Sequence, residues 1–187
     1  MYADPFALLE RKCGSRARVT ETLERFSLEL GLPGAPQTNA LAALALIRLG
    51  HDSQKVAALL EWNEFEDLCA KLFSSAGYRV KRNVVLTKPR KQIDLLATSS
   101  LLSLSVDCKH YSTHVGYGTL ARFAEEQVER TKLYKRKRDH AGPILPLILT
   151  LIEAGTTVVD GVPVVPILKL KSFLESVSPY DGLAVVK

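Results

Sequence analysis

Residues 93–111 read Ile-Asp-Leu-Leu-Ala-Thr-Ser-Ser-Leu-Leu-Ser-Leu-Ser-Val-Asp-Cys-Lys-His-Tyr. From Leu102 apolar and polar side chains alternate strictly, which is the period of a half-buried strand. Leu102, Leu104, Val106 and Cys108 point one way, and Ser103, Ser105, Asp107 and Lys109 the other. The expectation is one packed apolar face and one polar face that ends in an acid and a base side by side. Just upstream, Ile93 to Ala97 reads as a second short strand carrying Asp94, with Thr98-Ser99-Ser100 as the turn between them.

Working outward, Glu64 to Ala76 reads as a helix capped by Asn63, because Phe65, Leu68, Cys69, Leu72, Phe73 and Ala76 form one apolar stripe. Gly77 ends it and Tyr78-Arg79-Val80 begins a strand. The stretch from Arg79 to Lys91 holds six cations and no acid, and Pro89 suggests an open loop before Asp94. After Tyr111, a loop with Gly116 and Gly118 leads to a long helix from about Thr119 to His140. Its inner stripe is Leu120, Phe123, Ala124, Val128 and Thr131, with Gln127 in the middle. Residues 143–152 read as a buried strand. Asp160-Gly161 then signals a type I′ hairpin. Pro163 and Pro166 make its return arm an edge or irregular strand. A short helix at 171–177 and a strand-like tail close the chain.

Residues 1–61 read as four short helices, and residues 62–187 as an α/β unit with a mixed sheet flanked by helices. The turn at Gly50-His51-Asp52 permits a helix-turn-helix, but a plain helical hairpin packed on the main unit is the favoured reading, because nothing beyond the short turn supports the other. Hydrophobic content of 47% and charged content of 24% over 187 residues fit a globular chain with a real core. The longest apolar runs are too short to span a bilayer, and the first residues lack the pattern of a secretory signal. Three cysteines without a Cys-x-x-Cys pair fit a reduced, intracellular compartment. A net charge of +5 permits a polyanionic partner.

If the two strands pair, Asp94 reaches Asp107, and two close carboxylates call for a cation. Mg²⁺, hard and oxygen-seeking, is the natural one. A Lys beside it can orient water or stabilise developing charge, so the set suits phosphodiester hydrolysis. An ordinary salt bridge between Asp107 and Lys109, with Asp94 unrelated, is the simpler alternative. Against it stand the polar strand face, the charge inside an apolar strand, and a third acid on the preceding helix.

The order Glu66, Gly77-Tyr78, Ile93-Asp94, Val106-Asp107-Cys108-Lys109 resembles the PD-(D/E)xK, or restriction-endonuclease-like, nuclease superfamily. Mrr-like restriction endonucleases and archaeal Holliday-junction resolvases are the branches it is most similar to. Mrr-like members often carry Gln-x-Lys and resolvases Glu-x-Lys, where this chain has Asp-x-Lys. The resemblance covers roughly residues 64–152. It implies a metal-dependent DNA endonuclease, restriction-like or related to repair and recombination, that leaves a 5′-phosphate. Asp94, Asp107 and the backbone carbonyl of Cys108 would hold Mg²⁺ (or Mn²⁺), Lys109 would serve the attacking water, and Glu66 would complete the acidic cluster. Periodicity leaves Glu64 and Glu66 open, and Glu66 at the third helical position would also suit a capping box. Only Glu66 matches the family spacing to Gly77.

Gln127 is expected either to satisfy a neighbouring loop or to stand beside the active site. Arg82, Lys88, Arg90, Lys91, His114 and Lys135 are the candidate nucleic-acid contacts. The expected partner is DNA and the expected state a homodimer, with no membrane and no small-molecule cofactor, in the cytoplasm with the nucleoid. The alternative is a nucleic-acid-binding module or complex subunit on a nuclease-like scaffold, without catalysis of its own.

Overall fold

A computed structural model describes residues 4–34, 37–111, 115–178 and 182–187. Four helices come first: α1 Pro5–Cys13, α2 Arg16–Glu29, α3 Asn39–Arg48 and α4 Ser53–Ala57. Each begins on a side-chain cap, in order Asp4, Ser15, Thr38 and Asp52, which satisfies amides that a helix start leaves unpaired. α3 is buried on nearly every side, from Ala40 to Leu46. A helix so enclosed has no face to lay into a DNA groove. With α4 only five residues long, the pair packs as a short helical hairpin.

The remainder is α5 Trp62–Ser75, β1 Arg79–Leu86, β2 Lys91–Thr98, β3 Ser103–Lys109, α6 Tyr117–Arg138, β4 Ile144–Thr150, β5 Val158–Val159, β6 Val162–Pro166 and α7 Leu170–Ser176. The strands form one sheet in the order β1-β2-β3-β4-β6-β5. β1, β2 and β3 are antiparallel neighbours, while β3, β4 and β6 run parallel. This is the mixed sheet that the sequence implied.

The core runs without a break from the first helices into the sheet. Leu9, Leu23, Leu44 and Ala57 join Phe65, Cys69 and Phe73 of α5, then Leu95, Leu104, Val106 and Cys108 of β2 and β3. On the other side, α6 lays Leu120, Phe123 and Ala124 against Ile148 and Val164. Further along it lays Leu133 and Tyr134 against Leu86, Ile93 and Leu96. Each such side chain contributes about 1.5–3 kcal/mol by leaving water.

Four expectations change. β3 is buried on both faces, because α6 covers the serine side. The stretch before Asp94 is a tight turn at 87–90 with a cis Lys88–Pro89 peptide, since β2 already starts at Lys91. β6 lies inside the sheet, between β4 and β5, and the two-residue β5 is the edge. β5 pairs only with Val162 and Pro163, so little of β6 must donate on that side. Among the described residues the tail adds one isolated bridge, Val186 to Ile144, and no strand. Asp160 and Gly161 both take positive φ, as the hairpin signal required.

Candidate active site

The site forms where β2 and β3 part. Their ladder runs through Ala97–Leu104, Leu96–Ser105 and Leu95–Val106 and then stops. One residue further, the Asp94 carboxylate replaces it, with Oδ2 accepting the backbone N–H of Cys108 at 2.8 Å. Asp94 and Asp107 are therefore neighbours across the fork. Burial, the Asp107 charge and, more weakly, Glu66 push the Asp94 carboxyl up to about 7, against the opposing pull of the Cys108 amide and Lys109.

Asp107 is only 2% exposed, yet it carries a charge. Two cations compensate. Lys109 Nζ lies 2.9 Å from Oδ2 and Arg130 Nη1 lies 3.0 Å from Oδ1. The Lys109 contact lacks hydrogen-bond alignment, so Oδ2 is a buried carboxylate oxygen without a hydrogen-bond partner. An oxygen left in that state inside a protein is costly, and is most readily explained by a ligand it awaits. The Lys109 ammonium also rests over the Phe123 ring, 4.5 Å from its centroid. Tyr111 stacks on the same ring at 5.8 Å. Burial and the Asp107 charge push the Tyr111 phenol up to about 12, so it stays protonated.

α5 brings the third acid. The helix starts at Trp62, two residues earlier than the Asn63 cap implied. Glu61 is thus the cap, and Glu64 reaches back to the Glu61 amide at 3.1 Å. This occupies Glu64 and leaves Glu66 inward-facing and buried. The Trp62 indole donates to Glu66 Oε1, and Arg82 Nη2 lies 3.8 Å from Oε2. Arg82 also pairs with Asp67. Gly77, at φ 87, lets the chain turn from α5 into β1 in a conformation that a side chain disfavours.

α6 supplies what the strands lack. Gln127 is fully buried, and its Nε2 donates to the carbonyl of Ser105 at 2.7 Å and to its hydroxyl at 3.0 Å. The serine face is therefore the surface on which α6 docks. Arg130, missed in the sequence reading, joins Asp107 to Gln127 Oε1 at 3.3 Å and to Glu126 at 3.1 Å. Its position three residues after Gln127 places it on the same helical face, and that spacing was the available signal.

The basic residues divide. Lys88 and Arg90 are exposed at the β1–β2 turn. Lys91 lies 3.8 Å from Glu129. Lys135 donates to the carbonyls of His140 and Gly142, which closes the end of α6. Lys137 ties α6 to the β1–β2 turn through the carbonyls of Thr87 and Lys88. His114 lies outside the described residues. His110 Nε2 donates to the Ala57 carbonyl at 2.8 Å, and burial lowers the pKa of the ring.

Among the described residues no three His, Cys, Asp or Glu side chains converge as a metal centre. The oxygen donors at hand are the carboxylates of Asp94 and Asp107, with Cys108 between Asp107 and Lys109. That suits Mg²⁺, which takes one or two carboxylates and fills its octahedron with water and substrate phosphate. A cavity of about 820 Å³ lies elsewhere, between Leu72, Tyr78, Leu102 and Leu174, and holds none of these groups.

A mixed sheet between helices, with Asp on one strand and Asp-x-Lys on the next, defines a restriction-endonuclease-like core. Residues 57–135 match the Mrr_cat family, described as Restriction endonuclease, so this segment is similar to an Mrr-type domain of the PD-(D/E)xK superfamily. The matched segment holds Glu66, Asp94, Asp107, Lys109, Gln127 and Arg130. Of the two branches, the match names the Mrr one, and it points to a DNA endonuclease. No curated protein and no solved structure gave a significant match.

Proposed function

We propose that this chain is a Mg²⁺-dependent DNA endonuclease, with Mn²⁺ an effective substitute. The observation that carries this reading is the Asp107 carboxylate. It is buried beside Asp94 with one oxygen lacking a hydrogen bond, and Lys109 stands 2.9 Å away. When bound, the ion supplies charge neutralisation at the phosphate and acidifies water. Asp94 and Asp107 would hold it, with the Cys108 carbonyl as the third protein ligand. The Cys108 amide keeps Asp94 turned toward the fork.

Lys109 has a separate task. Its ammonium is fixed by Asp107 and the Phe123 ring, which supports a role beside the attacking water. It orients that water and stabilises the charge that develops on the phosphate oxygens. Glu66, held by Trp62 and Arg82, adds negative potential at Asp94 and strengthens the demand for a cation. Lys88, Arg90 and Lys91, on the turn that leads into β2, would follow the DNA backbone away from the cut. Cutting both strands of a duplex takes two such sites, which a homodimer would provide.

The test is cleavage of labelled duplex, methylated, branched and single-stranded DNA in Mg²⁺, Mn²⁺ or EDTA. Metal-dependent cutting of any of them is the expected result, and the preferred form names the substrate. Salt-dependent binding that ignores the metal, with no cutting on the whole panel, would replace this reading with a binding module.

A further inference from the structure

We propose that Arg130 is a ligand for the scissile phosphate that, in the free protein, is parked on Asp107, so that DNA and divalent metal bind in concert. This rests on reading the site as a metal-dependent nuclease.

The charge arrangement makes the case. Both oxygens of Asp107 already face a cation, Lys109 on one and Arg130 on the other. A divalent ion that approaches Asp107 therefore meets two positive charges at close range, in a place where little water screens them. The free protein holds metal weakly as long as that guanidinium stays. A phosphate removes the obstacle, because its two non-bridging oxygens can accept from the planar guanidinium in place of Asp107.

The guanidinium is built to let go. Nη2 keeps Glu126 at 3.1 Å and Nη1 has Gln127 Oε1 at 3.3 Å. Release from Asp107 thus leaves it with partners. Its side chain is 16% exposed against 3% for Asp107, so the guanidinium is the more accessible partner of the pair. Arg122 stands beside it, 3.2 Å from the same Glu126 and 4.9 Å from the Phe123 ring that carries Lys109. An anion entering at Asp107 meets Lys109, Arg122 and Arg130 together.

A purely structural role is the competing account, in which Arg130 fastens α6 to β3. Gln127 already does that with two hydrogen bonds to Ser105 from a fully buried position. Docking does not need a second, partly exposed tie to an acid of the fork.

The experiment measures Mn²⁺ binding by the paramagnetic resonance of the free ion, with and without a phosphorothioate duplex. Wild type, Arg130→Gln and Arg130→Lys are compared, and melting curves establish that each is folded. In the wild type the duplex is expected to tighten Mn²⁺ by at least about 10-fold, within the usual range of coupled binding. Arg130→Gln is expected to bind Mn²⁺ several-fold more tightly without DNA and to lose most of the coupling. Arg130→Lys keeps the charge and should retain part of it. Unchanged Mn²⁺ binding in Arg130→Gln, or weaker binding, overturns the inference while the nuclease reading stands. No Mn²⁺ binding by the wild type, with or without DNA, overturns both.

Discussion

Asp94 Oδ2 accepts the backbone N–H of Cys108 at 2.8 Å, at the point where the β2–β3 ladder ends. One side chain thus closes the gap in the sheet and stands next to the acid that follows it in the fork. Burial first and Asp107 second push its carboxyl up to about 7. A carboxyl raised in the folded state stabilises the fold while protonated. That contribution is complete below the ordinary carboxylate range and is lost as pH rises through about 7. In chelator, the wild-type melting temperature should therefore fall relative to Asp94→Asn between about pH 5 and about pH 8. Parallel profiles for the two proteins would refute the electrostatic account of the fork.

Gln127 joins α6 to β3 from inside the core. Replacing it with Leu leaves the Ser105 hydroxyl and carbonyl without their donor, which costs about 1–3 kcal/mol for the stranded groups. Urea unfolding should show that loss, with an unchanged slope. A stability equal to the wild type would mean that the serine face is satisfied in another way.

The exposed cations of the β1–β2 turn, Lys88 and Arg90, differ from Lys135, whose ammonium is spent on the carbonyls of His140 and Gly142. Charge reversal at Lys88 and Arg90 should weaken DNA binding on every sequence alike. It should also reduce the slope of log affinity against log salt by about 1 per lost phosphate contact. The same change at Lys135 should lower the melting temperature more than the salt slope. If the slope responds only to Lys135, the DNA runs over the end of α6 and not over the turn.

Trp62 reports on the acidic cluster, because its indole donates to Glu66. Its emission should change on addition of Mn²⁺ to wild-type protein and lose that response in Asp94→Asn, where the ion has one carboxylate fewer. Titration by fluorescence checks this, and an identical response in the variant would separate Glu66 from the metal.

Much of this fold was legible because the signals were local. The alternation from Leu102 to Lys109 placed β3, Asp160-Gly161 placed the hairpin, and the apolar stripe of α5 with Gly77 placed the helix and its end. Asp107 and Lys109 emerged together because residues two apart on a strand share a face, and Asp94 joined them on the condition that the two strands pair. What stayed hidden depends on contacts across the chain. Alternation could not tell that α6 would bury the serine face, so β3 read as half-exposed. A helix start shifted from Asn63 to Glu61 decided which glutamate caps and which faces inward. Arg130 went unnoticed because one arginine in a helix rich in charge carries no mark of its own. Its partner Asp107 lies 23 residues away on another element. The same holds for Lys135, whose backbone partners exist only once the turn after α6 has formed.

The most direct test of the central claim is the single-turnover cleavage rate of the wild type against Lys109→Ala, in Mg²⁺, at equal DNA occupancy. Arg130 still faces Asp107 when Lys109 is removed, so the buried acid keeps one cation, and melting curves establish that the variant is folded before rates are compared. The account predicts a fall of at least about 100-fold, the usual weight of a positioned charge at a reacting group, with DNA binding largely kept. A variant that cuts as fast as its parent would show that the Asp107–Lys109 pair is not where the bond is broken.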